Sequence, residues 1–177
     1  MTKFKNVFLL AAMAVSAVCV ASCSDDDDKP AAGGGSLSIT AVVENGSEYN
    51  DLIDEVRVVV GDVTVTGKYA KGGFTIVLPA SVPDKYLEDR GGIKMLGISA
   101  DNFRPYDKNG VGVDGRFRYS PDDSPWFMYV DRDAARDNLS LKKGWNIVYF
   151  PDNKDGNMTS TPPSGFTDKW SFSYYGN

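Results

Sequence analysis

The sequence predicts an all-β protein, built as an antiparallel β-sandwich of about seven to nine strands. Short segments alternate between apolar and polar residues, which is the period of a strand with one face in water. Turns rich in Gly, Asn, Asp and Pro separate these segments at short intervals. No part of the chain carries the apolar stripe at helical spacing that an amphipathic helix requires.

Four strands are expected in the first half of the domain, at residues 37–43, 56–60, 63–69 and 74–78. The dipeptide Gly61-Asp62 predicts a tight hairpin turn between the second and third strands. A second turn is expected at Gly72-Gly73, before the fourth strand. Pro79 ends that strand, because proline has no N–H group to donate to a central ladder.

This half of the domain resembles a known family of β-sandwiches. The Val-rich hairpin and the segment Gly73-Phe74-Thr75-Ile76-Val77-Leu78-Pro79 are similar to strands of transthyretin-like, or carboxypeptidase-regulatory, domains. The resemblance implies a fold and no activity. An immunoglobulin-like sandwich is the alternative with the same strand pattern.

The second half is expected to open with one helical turn over Val82–Glu88, capped by Asp84. Further strands are expected at residues 93–98, 116–119, 126–131, 145–150 and 169–175. Residues 101–115 and 151–168 are rich in Gly, Pro, Asp and Asn, which predicts loops.

Two of these strands carry aromatic residues in patterns that predict burial. Both faces of residues 145–150 are largely apolar, so this strand is expected to be central in its sheet or covered on both sides. In the last strand Trp170, Phe172 and Tyr174 alternate with serines, which predicts that the three rings point inward. Trp145 and Trp170 are therefore expected in the core.

Residues 1–22 have the three parts of a secretory signal peptide. Lys3 and Lys5 form a positive start, Val7–Val20 is an apolar run, and small residues close it. The run is too short for a membrane-spanning helix, which needs about 20 apolar residues.

The segment Val20-Ala21-Ser22-Cys23 resembles the lipobox of bacterial lipoproteins. The resemblance implies cleavage before Cys23, transfer of diacylglycerol to its sulfur, and acylation of its amino group, with palmitate as a typical chain. Two or three chains would anchor the protein durably, since each buried CH₂ contributes roughly 0.8 kcal/mol. An ordinary signal peptide with a chance cysteine is the alternative.

The lipobox is followed at once by an acidic run, Ser24, Asp25, Asp26, Asp27 and Asp28. This run resembles the export signal of surface lipoproteins of the Bacteroidota, which implies a location on the outer face of the outer membrane. Residues 129–149 also look like a tract of uncharacterised surface lipoproteins from that group. A solvated tether without an export role is the alternative. Residues 23–35 are expected to be this tether, and residues 36–177 a single sandwich domain.

The composition excludes several kinds of function. Without residues 1–22, which contain two lysines, the formal net charge falls from −5 to −7. This charge argues against binding to nucleic acid and against adsorption to anionic lipid. The chain has no histidine, and its two cysteines are Cys19, in the signal peptide, and Cys23. Triads with His, Cys–His pairs and the usual zinc sites are excluded, and no cofactor or disulfide is expected.

A non-catalytic binding or scaffolding role at the cell surface is the leading hypothesis, with a glycan or a protein as ligand. Trp126 follows Pro125 in an acidic turn and is expected to be exposed. A flat, partly polar ring in that position can pack on a sugar. Tyr129 and Asp131 are the other expected ligand-binding residues.

Two other functions stay open. A structural subunit of a fimbria-like appendage would use residues 170–175 as a donor strand. A small glycan hydrolase would need a carboxylate pair, for which Asp131 and Asp133 are the candidates. The segments Asp107–Gly110 and 152–156 also resemble calcium loops, although Asx-Gly turns form for backbone reasons alone.

Overall fold

The computed structural model describes residues 35–120, 125–136, 139–150 and 158–176. The expected signal peptide (residues 1–22), the expected lipidation site Cys23, the acidic run and the candidate calcium loop at 152–156 lie outside these ranges. Within them the chain is all-β, with antiparallel sheets and no α-helix, which confirms the expected fold class. No helix in the described ranges is long and apolar enough to cross a membrane.

The first sheet has five strands, in the spatial order β1-β4-β3-β2-β7. These strands are β1 (Leu37–Val42), β2 (Glu55–Val60), β3 (Val63–Ala70), β4 (Gly73–Leu78) and β7 (Arg104–Tyr106). The hairpin at Gly61-Asp62 is confirmed, and Gly61 adopts a φ of 66° that glycine tolerates. The next turn lies one residue earlier than expected, at Lys71-Gly72, since Gly73 already pairs with Ala70.

The second sheet has four strands, in the order β12-β9-β6-β5. These strands are β5 (Glu88–Asp89), β6 (Lys94–Ile98), β9 (Trp126–Val130) and β12 (Gly144–Val148). Two small sheets complete the fold, β8 (Gly115–Ser120) with β13 (Lys169–Tyr174), and β10 (Ala134–Arg136) with β11 (Leu139–Leu141).

The described ranges hold 13 strands, more than the expected seven to nine. The difference comes from β5, β7, β10 and β11, which have two or three residues each. Strands of that length are too short to show an alternating pattern. β7 lies inside residues 101–115, so the expectation of one continuous loop there was wrong.

The main core lies between the inner faces of the five-stranded and four-stranded sheets. Alternate residues of β2 are buried, with Val56, Val58 and Val60 at most 2% exposed. Phe127 and Tyr129 of β9 belong to the same cluster from the opposite sheet. Strands β8 and β13 add further rings to this core, among them the fully buried Trp170.

A smaller core covers the outer face of the four-stranded sheet. It consists of the buried residues Met128, Val130, Leu141 and Val148, and the β10–β11 hairpin contributes to it. β12 is an edge strand, yet Trp145 is buried on its inner face and Val148 on its outer face. Of the two expectations for this strand, coverage on both sides is therefore confirmed.

Two local expectations differ from the structure. Asp84–Tyr86 forms the expected helical turn, as a 3₁₀ helix, but Pro83 occupies the N-cap position and Asp84 makes no cap. The Asp84 carboxylate instead accepts a 2.8 Å hydrogen bond from Lys94 Nζ. Tyr174 is 41% exposed, because it pairs with Gly115 at the end of β8, beyond the core.

Candidate functional site

Trp126 begins β9 and points to the outer face of the four-stranded sheet. The residue is 38% exposed, which confirms the expectation of an exposed ring. Its ring lies over Gly97 of β6, where an added Cβ would come within 3.1 Å of Cε3 and 3.2 Å of Cζ3. The missing side chain at Gly97 thus makes room for the indole, a common role for glycine within a strand.

Phe150 stands beside Trp126, and its ring is steeply inclined to the indole. The ring centroids are 5.7 Å apart and the planes meet at 62°. We call Trp126, Gly97 and Phe150 the Trp126 surface. It is an apolar patch with a fixed, partly exposed indole, of the kind that gives a large contact area at low cost in conformational entropy.

Tyr129 lies on the inner face of the same strand, opposite to Trp126. Positions three apart in a strand point to opposite faces of the sheet. Tyr129 is 6% exposed, and its ring packs edge-on against Trp145 at a centroid distance of 5.4 Å. The structure therefore does not bring Tyr129 to the Trp126 surface; the ring belongs to the core.

Asp131 follows the last residue of β9, five positions from Trp126. At about 3.3 Å per residue the two lie roughly 16 Å apart along the strand. The Asp131 carboxylate accepts hydrogen bonds from the Lys94 backbone N–H at 3.1 Å and from the Arg132 guanidinium at 2.7 to 3.2 Å. These bonds, first from Arg132 and then from Lys94, lower the pKa of Asp131. The residue fixes the junction between β6 and the end of β9.

Asp133 is held in a different turn. Its carboxylate accepts the Lys143 N–H and a bond from Lys142 Nζ, both at 2.9 Å, and these bonds lower its pKa. The general acid of a glycosidase needs a raised pKa. The two carboxylates of the hydrolase hypothesis are thus both engaged in local hydrogen bonds that favour their charged forms.

The candidate calcium loop at Asp107–Gly110 is an Asx turn. Asp107 accepts backbone hydrogen bonds from Asn109 at 2.9 Å and from Val111 at 2.8 Å, and the Val111 bond is the main cause of its lowered pKa. Across the described ranges, no three Asp, Glu, His or Cys side chains are grouped so that they could hold a metal ion.

The sequence matches no protein-family model. Comparison with curated proteins finds no match, and comparison with solved structures finds none. A function for this chain is therefore inferred from the chemistry of its own surfaces.

Two concave sites were not predicted from the sequence. One is a cleft of about 200 Å³ at an edge of the sandwich, lined among others by Tyr119, Tyr149 and Asp168. Burial, and then the negative charge of Asp168, raises the pKa of both tyrosines. These residues lie far apart in sequence, on segments that only the fold brings together.

The second concavity lies on the outer face of the five-stranded sheet, where it is lined by Arg57, Arg104 and Tyr106 among others. Arg57 is in β2 and Arg104 is in β7. No sequence pattern pairs these strands, because β7 is a three-residue strand inside a segment with loop composition. This second concavity differs chemically from the Trp126 surface, since it is rich in hydrogen-bond donors.

Proposed function

We propose that this chain is a non-catalytic, lipid-anchored protein of the cell surface that binds a glycan through the Trp126 surface. The observation that carries this proposal is the placement of Trp126. Its indole is supported by Gly97 and Phe150, yet 38% of the residue stays exposed. An exposed tryptophan held in one orientation is suited to packing on the C–H face of a sugar ring.

The anchoring part of the proposal is supported by the sequence. The lipobox-like segment ending at Cys23 and the acidic run that follows it resemble the signals of surface lipoproteins. A mature charge of −7 gives the domain no electrostatic attraction to anionic lipid, so acyl chains are the proposed attachment.

The binding proposal is favoured over a donor-strand subunit by the position of β13. This strand pairs with β8 along its whole length, from Lys169 to Tyr174. Trp170 is fully buried and Phe172 is 2% exposed in the core of their own chain. Donating this strand to a neighbouring subunit would remove both rings from that core.

The anchoring proposal is tested by growing cells with labelled palmitate. We expect label in the wild-type protein and none in Cys23→Ala. Label in both proteins, or in neither, would contradict a lipid on Cys23.

The binding proposal is tested by native gel electrophoresis in gels that contain neutral polysaccharides. We expect retardation of the wild-type protein that Trp126→Ala abolishes. Tyr175→Ala is the matched control, since Tyr175 is a 52% exposed aromatic residue away from the Trp126 surface. Equal retardation of wild-type protein and Trp126→Ala would contradict the proposal.

A further inference from the structure

The outer face of the five-stranded sheet carries two arginines directly opposite each other. Arg57 of β2 pairs in register with Arg104 of β7, which is the edge strand of the sheet. The inner-facing neighbours Val56 and Val58 are buried, so the side chain of Arg57 projects to the outside.

Like charges at opposite positions of neighbouring strands destabilise a sheet. Arg57 is compensated by an ion pair with Glu55. Arg104 makes no ion pair or side-chain hydrogen bond within the described part of the chain. The uncompensated guanidinium of Arg104 therefore breaks the rule that like charges do not face each other across paired strands. Such exceptions are concentrated at functional sites.

Arg57 is held in a fixed orientation. Its guanidinium carbon lies 3.9 Å from the centroid of the Tyr106 ring, and its Nε donates to Glu55 at 2.7 Å. Glu55 also accepts from Nη2. The Nη1 group makes no hydrogen bond with any described residue, so this side of the guanidinium stays available to a ligand.

The arginines line a concavity of about 300 Å³ that combines donors with apolar surface. Its lining residues are Arg57, Val59, Thr64, Asn102, Arg104 and Tyr106. Asn102 uses its Oδ1 to accept bonds from Ser99, and its Nδ2 donates to no described residue. Val59 is 62% exposed. Free donors, an aromatic ring and an exposed aliphatic side chain thus share one surface.

We infer that this concavity binds the carboxylate of an acidic sugar, such as a uronate unit of a glycan. The guanidinium fork matches the geometry of a carboxylate. In this arrangement Arg104 and Arg57 bind the carboxylate, Asn102 and Thr64 bond sugar hydroxyls, and Val59 faces the ring carbons, while Tyr106 holds Arg57 in place. This inference goes beyond the proposed function, since the site lies on the opposite side of the sandwich from the Trp126 surface.

Isothermal titration calorimetry of the purified full-length protein tests this inference. The four probes are tetragalacturonate, its methyl ester, tetramannuronate and sodium sulfate. Methyl esterification keeps the sugar rings and removes the charges. We expect at least one uronate oligomer to bind, with roughly tenfold or greater loss for the methyl ester, as expected for a lost charge-assisted hydrogen bond. We expect much weaker binding of sulfate, which has no sugar ring.

Variants separate this site from the rest of the molecule. Arg104→Gln should lower uronate affinity roughly tenfold or more, and Arg104→Lys should lose less because it keeps the charge without the fork. Arg90→Gln removes the same charge from an exposed arginine in the turn between β5 and β6 and should have no effect. Trp126→Ala should also leave uronate affinity unchanged. A loss of neutral-glycan binding at the Trp126 surface can therefore be told apart from a loss of uronate binding at the arginine concavity.

Four results would overturn the inference. The first is no binding of either uronate oligomer. The second is equal affinity for the acid and its methyl ester. The third is an unchanged uronate affinity in Arg104→Gln. The fourth is sulfate binding as tight as that of the oligomers, which would mean a small-anion site without sugar recognition. Circular dichroism of Arg104→Gln shows whether the fold is retained. If it is not, the uronate affinity of Arg104→Lys tests the inference instead.

Discussion

The indole of Trp126 lies over the backbone of Gly97, on the neighbouring strand of the four-stranded sheet. This contact orients the ring, while 38% of the residue stays exposed. Trp126 is the exposed member of the three tryptophans, since Trp145 is 3% exposed and Trp170 is fully buried. The outer face of this sheet therefore presents one aromatic ring that the fold does not need for its core.

Iodide quenching of tryptophan fluorescence should detect this difference in exposure. We expect a quenchable component in the wild-type protein that disappears in Trp126→Phe. Trp145→Phe should keep that component, because it removes a buried ring. A quenchable fraction that persists in Trp126→Phe would contradict the assignment of the exposed ring.

Trp170 should be the most costly tryptophan to remove. Its ring contacts four aromatic neighbours, with centroid distances from 4.3 Å to Tyr119 to 6.4 Å to Phe117. We expect Trp170→Ala to lower the free energy of unfolding by about 3–5 kcal/mol in urea denaturation. Trp170→Phe should cost less, since it keeps an aromatic ring in the core. A change of less than about 1 kcal/mol in Trp170→Ala would contradict a core role.

Tyr69 should contribute to a fall in the free energy of unfolding at alkaline pH. Its hydroxyl donates a 2.8 Å hydrogen bond to the Gly46 carbonyl, and burial raises its pKa to about 12 from the usual value of 10.0. Between pH 10 and about 12 the folded protein therefore keeps the Tyr69 proton, while the unfolded chain loses it. This contribution is complete below pH 10 and is lost as the pH rises toward 12.

Tyr69→Phe should lower the free energy of unfolding by about 1 kcal/mol at neutral pH, because the hydrogen bond is lost. It should also reduce the decline in stability between pH 10 and 12, in denaturant titrations at each pH. Part of the decline should remain, since the pKa values of Tyr119 and Tyr149 are also raised. An unchanged alkaline decline would be inconsistent with a buried, protonated Tyr69.

Asp131 should affect stability at neutral pH and lose its effect in acid. Arg132 and the Lys94 N–H lower its pKa, so its contribution is present above the unfolded value of about 3.9 and disappears as the pH falls through the folded value. We expect Asp131→Asn to lower the urea midpoint slightly at pH 7, and we expect this difference from the wild-type protein to shrink as the pH falls below 3.8. Asp51→Asn, at an exposed carboxylate, should not change the midpoint. A wild-type midpoint at pH 7 in Asp131→Asn would show that the junction does not depend on this charge.

The longer strands could be predicted because alternation in sequence reflects one buried face. β2 and β4 alternate as expected, with Val58 and Ile76 in the core. β7 could not be predicted in this way. Its central residue is Pro105, which is tolerated because the strand lies at the edge of the sheet, and three residues are too few to show a period.

The candidate site was predicted in part. The exposure of Trp126 followed from its position after a proline in a polar turn. The separation of Trp126 from Tyr129 also follows from the strand period, which places positions three apart on opposite faces. The pairing of Arg57 with Arg104 could not be predicted from the sequence, because it depends on the register between strands that are far apart in the chain.

Sugar binding by the Trp126 surface can be measured on a glycan array probed with the wild-type protein and with Trp126→Ala. We expect the wild-type protein to bind a limited set of neutral glycans, Trp126→Ala to lose that binding, and Tyr175→Ala to retain it. Binding to neutral glycans that is the same for wild-type protein and Trp126→Ala, or no binding to any neutral glycan, would contradict a role for the Trp126 surface in sugar recognition.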